Sequence, residues 1–329
     1  MIDQITLADI YAARRRLGNH VRRTPINPSP SLTEHLGVPV HLKLEHHQIT
    51  GSFKLRGATN AVLALTEEEK AGGVVGVSTG NYGRGLAFAC KQAGVPCIIC
   101  MSELVPANKV ESIKALGAEV RIVGCSQDDA QIEVNRLVGD QGMVMLPPFD
   151  HPDIIAGQGT LGLELIEDIP DLETVLVPLS GGGLISGVAL AIKTARPSAK
   201  IVAVTMERGA AMHASLDAGK PVMVEEMESL ADALGGGIGL DNRYTFAMCQ
   251  DLVDDSLLVT EDEIAAGIRH AYAQEKQVIE GSGAVGIAAI LAGKVQPGST
   301  TLVITSGANI DMALHARLIA TSKDGDSLA

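Results

Sequence analysis

The sequence predicts an α/β protein: two open, twisted, parallel-type sheets flanked by helices. Three observations lead there. Apolar residues fill 46% of the 329 positions and 36 positions are glycine, enough for a large core and many tight turns without disulfide staples. From Gly72 to about Leu146, short apolar runs alternate with amphipathic ones in the order that builds a parallel sheet. The segment Pro147-Pro148-Phe149-Asp150-His151-Pro152 then breaks the pattern before a second strand–helix series begins. The expected division is a small mobile unit over 72–146, inserted into a larger one made of 1–71 and 147–329.

Taken in order, the spacing predicts a helix over about Leu7 to Leu17, whose Arg14-Arg15-Arg16 lies on a solvated face. Thr24 to Ser31 reads as loop. Val40 to Glu45 alternates as a strand does, and Phe53, Leu55, Ala58, Ala61, Val62 and Leu65 recur at helical spacing. Thr66 with Glu69 forms a capping box that starts a short helix. Strands follow at Val74–Val77, Cys97–Met101, Glu119–Val123 and Met143–Leu146, with helices starting near Tyr82, Pro106 and Asp128. The second series holds strands at Thr174–Val177, Lys200–Thr205, Leu257–Val259 and Thr300–Thr305. Its helices run to about Ala195, from Glu261 to about Lys276, and from Ser282. Glu225 to Arg243 is irregular and expected to line a site, and Ser322 to Ala329 reads as a frayed tail.

A net charge of −13 argues against nucleic acid or an anionic membrane as partner. No run approaches the roughly 18 uninterrupted apolar residues of a membrane helix, and the start lacks a signal-peptide pattern. Five cysteines, an odd number, suit a reduced cytoplasm. Cys97 and Cys100 make a Cys-x-x-Cys, but within a buried-strand run, where positions three apart face opposite sides. They are expected to be structural.

The stretch Thr50 to Ala58 places Lys54 where a helix begins. The helix dipole and desolvation both disfavour an ammonium there, and a neutral amine is what a nucleophilic or Schiff-base lysine needs. A solvated first-turn lysine is the plainer alternative. Three turns share one arrangement, an apolar strand, small residues, then a helix: Ser78-Thr79-Gly80-Asn81, Ser180-Gly181-Gly182-Gly183-Leu184 and Ser306-Gly307-Ala308-Asn309. Ligands of open α/β sheets bind beyond the carboxyl ends of strands, and a helix start free of side chains is an anion site. Ser180 to Leu184 is the best phosphate cradle of the three. It is neither a dinucleotide fingerprint, since Ser186 stands where a third glycine belongs, nor a Walker motif. Lysine, cradle and polar turns together fit pyridoxal 5′-phosphate in the cleft between the two units.

On these motifs nearly the whole chain resembles the fold-type II pyridoxal-phosphate enzymes of the tryptophan synthase β family. Within them it is similar to the serine/threonine dehydratase and serine racemase branch, most of all to 3-hydroxyaspartate dehydratases. The resemblance implies that Ser52 to Ala58 is the lysine segment, with Phe53 packing on the cofactor ring. Lys54 holds the cofactor and then takes the substrate's Cα proton. Ser78, Thr79 and Asn81 meet the substrate carboxylate, and Asn81 also meets the ring hydroxyl. Ala156-Gly157-Gln158-Gly159-Thr160 is a further signature. Ser180, Gly181, Gly182, Gly183 and Leu184 hold the phosphate, and Ser306 faces the pyridine nitrogen. A homodimer acting on a small amino acid is expected, with no nucleic acid or membrane partner.

The departures bear on chemistry. Relatives that racemise use a serine on the ring face opposite the lysine, and here the matching position is the stiffer Thr79. Tyr82 replaces a common histidine. Arg84 replaces a neutral amide, and its planar fork suits a second substrate carboxylate. A Mg²⁺ or other divalent-cation site of relatives would use Glu207, the Ala211 carbonyl and an aspartate. Here that third position is His213, a poor ligand for an oxygen-seeking ion. Dehydration of a 3-hydroxy amino acid is the expected reaction, racemisation the alternative, and a non-catalytic binding protein a third reading set against the intact motifs.

Overall fold

The computed structural model describes residues 5–320 apart from Thr79, Pro106 and Pro297. Helix α1 (Leu7–Leu17) opens on a Thr6/Asp9 capping box and buries Ile10, Ala13 and Leu17. Strand β1 (Ile26–Pro28) and the first two residues of helix α2 (Pro30–Leu36) fall in the stretch Thr24 to Ser31 expected to be loop. β1 runs antiparallel to β2 (Val40–Lys43), Ile26 opposite Lys43. Three residues containing a proline carry little strand signal, and proline is tolerated because β1 is an edge strand.

Helices α3 (Lys54–Ala64) and α4 (Glu67–Gly72) follow, the second with the Thr66/Glu69 capping box in place. Then come β3 (Val74–Val77), α5 (Asn81–Ala93), β4 (Cys97–Met101), α6 (Ala107–Ala115), β5 (Glu119–Ile122), α7 (Gln127–Gln141) and β6 (Val144–Met145). These strands form a four-stranded parallel sheet in the order β5-β4-β3-β6. Cys97 and Cys100 fall in separate core clusters, one with α5 and the other with α7, as opposite faces of β4 require.

Helix α8 (Pro152–Asp168) leads back to the second sheet. It is followed by β7 (Leu172–Pro178), α9 (Gly183–Ala195), β8 (Lys200–Met206), α10 (Ala211–Ala218), α11 (Thr245–Leu252), β9 (Asp255–Val259), α12 (Glu261–Ala273), α13 (Gly281–Leu291), β10 (Thr300–Ile304) and α14 (Met312–Ala320). The sheet order is β1-β2-β10-β7-β8-β9, all parallel except β1. The mixed edge is the one departure from two purely parallel sheets. The segment 225–243 is irregular apart from a short 3-10 turn at Asp232–Leu234, and part of it borders a surface hollow with Met206 and Glu261. The expected tail, Ser322 to Ala329, lies outside the described residues.

Helix α8 is pressed between α3 and α9. A Cβ on Gly157 would stand 2.7 Å from the Gly57 Cα and 2.8 Å from the Arg56 carbonyl, so the two backbones touch only because both positions are glycine. The Ala156–Thr160 signature therefore sits at a close helix crossing that locates the start of α3.

That start is also held by a buried charge cluster. Arg56, 1% exposed, donates to both oxygens of Glu45 at 2.8 Å and to Glu164 Oε1 at 2.7 Å. Lys43, fully buried on β2, donates to Glu164 Oε2 at 2.6 Å and to the Thr24 carbonyl at 2.8 Å. Two cations face two carboxylates, so the cluster is neutral. Burial works against the Glu45 charge, but the Arg56 guanidinium outweighs it and holds the carboxyl below its ordinary range.

Candidate active site

The three polar turns lie at the carboxyl ends of β3, β7 and β10, as parallel sheets demand. Backbone bonds stitch the lysine segment to the turn after β10. Phe53 N–H donates to the Ser306 carbonyl at 3.1 Å and Ala308 N–H to the Gly51 carbonyl at 2.9 Å, with Ser52 bridging Gly307. Lys54, first residue of α3, follows directly. Its Nζ donates to the Pro148 carbonyl at 2.9 Å and lies 5.4 Å from the Phe53 ring centroid and 5.8 Å from that of Tyr82. No carboxylate among the described residues pairs with it, and burial pushes the ammonium down to about 8.

From the four-stranded side, Ser78 Oγ accepts the Gly83 N–H at 3.1 Å. Asn81 opens α5, gives an Nδ2 hydrogen to Glu280 Oε1 at 2.6 Å, and accepts on Oδ1 from Asn309 Nδ2. Thr79 lies outside the described residues. The buried Tyr82 donates its hydroxyl to the Leu146 carbonyl at 2.9 Å, which leaves its ring face toward Lys54. The Arg84 guanidinium makes no hydrogen bond or ion pair with a described residue, and its Nε is buried without a partner. Burial lowers its affinity for a proton, and Glu280 works the other way.

From the six-stranded side, Gly182 takes φ +88° ahead of α9, and Gly181 and Gly183 pack against Phe149. The N–H groups from Gly181 to Ile185 find no acceptor among the described residues, although Ser186 N–H bonds the Gly182 carbonyl at 2.9 Å. Ser180 precedes them, and Leu184 is buried within the first turn. Ser306 is buried and donates weakly, at 3.3 Å, to the Ser282 carbonyl. Beside it, Ser52 Oγ and Ser282 Oγ are buried without partners. Unpaired backbone donors, an amine of lowered basicity and orphaned hydroxyls fit a phosphate-bearing aldehyde with a heterocyclic nitrogen.

The third of the expected cation ligands, His213, is engaged elsewhere. Glu207 is exposed, Ala211 is buried at the start of α10, and His213 bonds Ser256 Oγ at 2.8 Å with Asp217 at 3.5 Å. Among the described residues no group of three or more His, Cys, Asp or Glu side chains could hold a metal ion. The residues present do not fit the implied cation.

Sequence reading missed Glu280, Pro148 and the side chain of Asn309. Glu280 stands at the N-cap of α13, a position where Ser, Thr, Asp or Asn is usual. That oddity was the one local signal for it. Pro148 contributes a carbonyl, and a carbonyl has no signature in sequence.

A family model described as pyridoxal-phosphate dependent enzyme matches residues 17–307. The chain is 60% identical to a protein of Sinorhizobium fredii provisionally named a threonine dehydratase, over 97% of this chain and 96% of that one. Maize serine racemase superposes with a TM-score of 0.90 at 34% identity, covering 96% of this chain and 97% of the racemase. A pyridoxal 5′-phosphate-dependent aspartate racemase superposes with a TM-score of 0.87 at 30% identity, covering 94% and 97%.

Proposed function

We infer that this chain, which belongs to the pyridoxal-phosphate dependent enzyme family, takes 3-hydroxyaspartate as its substrate and releases oxaloacetate and ammonia. It is a lyase of the dehydratase type. The water lost on elimination is returned on hydrolysis, so the net change is one ammonia released. The observation that carries the substrate is Arg84. A guanidinium with a buried, unpartnered nitrogen, three residues past Asn81, is costly unless an anion meets it. The substrate's second carboxylate supplies that anion in bidentate geometry. A relative of the same fold named for aspartate supports a substrate of this class.

When bound, the cofactor supplies the electron sink that acidifies the substrate's Cα hydrogen. The N–H groups of the Ser180–Leu184 turn would bind its phosphate, and the Ser306 hydroxyl would meet its ring nitrogen without forcing a proton onto it. Lys54 holds the cofactor and, as a free amine, moves the Cα proton at Nζ. An amine titrating at about 8 is available for that near neutral pH. The Pro148 carbonyl orients Nζ, and the Phe53 and Tyr82 rings shield it from water. Ser78, Thr79 and the Asn81 backbone N–H would take the α-carboxylate, and the Asn81 side chain would meet the cofactor's ring hydroxyl. No step in this reading runs through a divalent cation.

The four-stranded unit, 72–146, carries Ser78, Asn81 and Arg84, while Ser180 and Ser306 belong to the six-stranded one. The reading therefore includes closure of one on the other to exclude water. Structures with and without a substrate analogue should differ in the angle between the two sheets, and an unchanged angle would remove closure from the mechanism. A cytoplasmic homodimer completes the picture; the five cysteines are free thiols, and no helix among the described residues is long and apolar enough to cross a membrane.

A screen of 3-hydroxy amino acids for keto acid release tests the substrate. Arg84→Gln should lower kcat/KM for 3-hydroxyaspartate by about 1.5 to 3 kcal/mol while sparing serine. Equal losses on both, or a wild type inert toward 3-hydroxyaspartate, rejects the assignment. Racemases among the structural neighbours favour a second reading, racemisation at Cα with elimination beside it. Chiral analysis of the unreacted substrate separates the two.

A further inference from the structure

Glu280 has no role in the reading above, yet its carboxyl, 4% exposed, lies between the two sheets' polar turns. Its Oε1 accepts from Asn81 Nδ2 at 2.6 Å, and its backbone N–H donates to the Gly307 carbonyl at 3.0 Å. A side chain at Gly307 would run into Oε1, so the carboxyl occupies a slot that only glycine leaves open. Asn309, in the same turn, ties its Nδ2 to Asn81 Oδ1 and to the Thr50 carbonyl at 3.0 Å.

The Asn81 amide is therefore fixed at both ends. Turned over, it would set its oxygen against a carboxylate oxygen and its NH₂ against the Asn309 NH₂, replacing two attractions with two repulsions. A primary amide carries two N–H donors. One is taken by Glu280, and the other is left for whatever Asn81 faces in the cleft.

We propose that Glu280 is a positioning residue that locks the Asn81 amide so that it presents an N–H, never its oxygen, to the ring hydroxyl of the bound cofactor. The inference rests on the reading of Asn81 as the contact of that hydroxyl. A donor there favours the ionised ring oxygen, and a carboxylate behind the donor strengthens it. The same bond joins the start of α5 to the N-cap of α13, whose own N–H holds the Gly307 carbonyl in the turn after β10.

The charged groups bearing on the carboxyl are known. Asp232, in the short 3-10 turn Asp232–Leu234, opposes its ionisation, and Lys109 on α6 favours it, while Arg84 on α5 feels its charge. Burial is the largest influence, and it pushes the Glu280 carboxyl up to about 7. The strength of the lock should therefore change with pH near neutrality.

The test uses wild type, Glu280→Gln and Glu280→Ala, each carrying cofactor, with spectra across pH and cofactor affinity measured by titrating the stripped protein. In wild type, the balance between the near-ultraviolet and visible bands of the bound cofactor should titrate near neutral pH. A glutamine can donate as well as accept, so Glu280→Gln should lose that titration and move the balance. Glu280→Ala should show the same change with cofactor affinity about tenfold weaker, equivalent to about 1.4 kcal/mol. If Glu280→Ala does not fold, the isosteric Glu280→Gln decides alone. A lower melting temperature with an unchanged band balance, pH response and affinity makes Glu280 merely structural and overturns the proposal. These readouts need no substrate. A wild type inert toward hydroxy amino acids but with the expected spectra would reject the function and leave this inference standing.

Discussion

Lys54→Ala is expected to lower turnover by at least about 10³-fold, within the range of about 10² to 10⁴ for a positioned acid–base group. The same variant should no longer fix cofactor covalently to the chain on borohydride reduction, while wild type does. The size of the effect follows from the geometry. Nζ is held by the Pro148 carbonyl at 2.9 Å between two aromatic faces, with burial lowering its basicity and no acid beside it to restore the charge. No other lysine among the described residues combines those conditions with a place beside the polar turns. Because Lys54 interrupts no ion pair, the alanine variant should keep the wild-type melting temperature to within a few degrees. Activity retained without added amine would exclude Lys54 from the chemistry.

Arg56→Met should cost about 3 to 5 kcal/mol of stability, because it strands a carboxylate in the interior. Glu45 is fully buried, and its partners besides Arg56 are the Thr24 hydroxyl and the nearby Lys43 charge. Adding Glu45→Gln to Arg56→Met removes the stranded charge and leaves the Lys43–Glu164 pair intact, so the double variant should recover part of the loss. Denaturant titrations of the three proteins measure both effects, and a single-variant loss under about 1 kcal/mol would mean the cluster is not holding α3. The pH sense follows from the Glu45 carboxyl, whose folded affinity for protons is depressed. Its contribution is present above the ordinary carboxylate range and is lost as pH falls through the lower folded value. Glu45→Gln should flatten that acid limb.

Much of the architecture was legible because it depends on near neighbours. The Thr66/Glu69 capping box, the limits of β3 and β4, and α9 ending at Ala195 all match the sequence pattern. Each is set by contacts within a turn or by the two-residue period of a strand. β1 was missed because Asn27 and Pro28 oppose the strand preference of the single Ile26, and it exists because β2 offers an edge to pair with. The Ala156–Thr160 signature was visible as a motif, but its packing role needed Gly57, 100 residues away in the chain, to come into contact.

The sequence by itself determined the alternation of strands and helices, the turns at their carboxyl ends and the lysine at the head of α3. Those follow from backbone propensities and short-range periodicity, which neighbouring residues carry. The tertiary structure decided which charges are paired, which are stranded and how strongly burial moves them. Glu280 reaches Asn81 across 199 residues, Arg56 reaches Glu164 across 108, and the Arg84 Nε is left without a hydrogen-bond partner among the described residues. Desolvation and pairing depend on what stands across a contact, and only the folded chain brings those groups within reach.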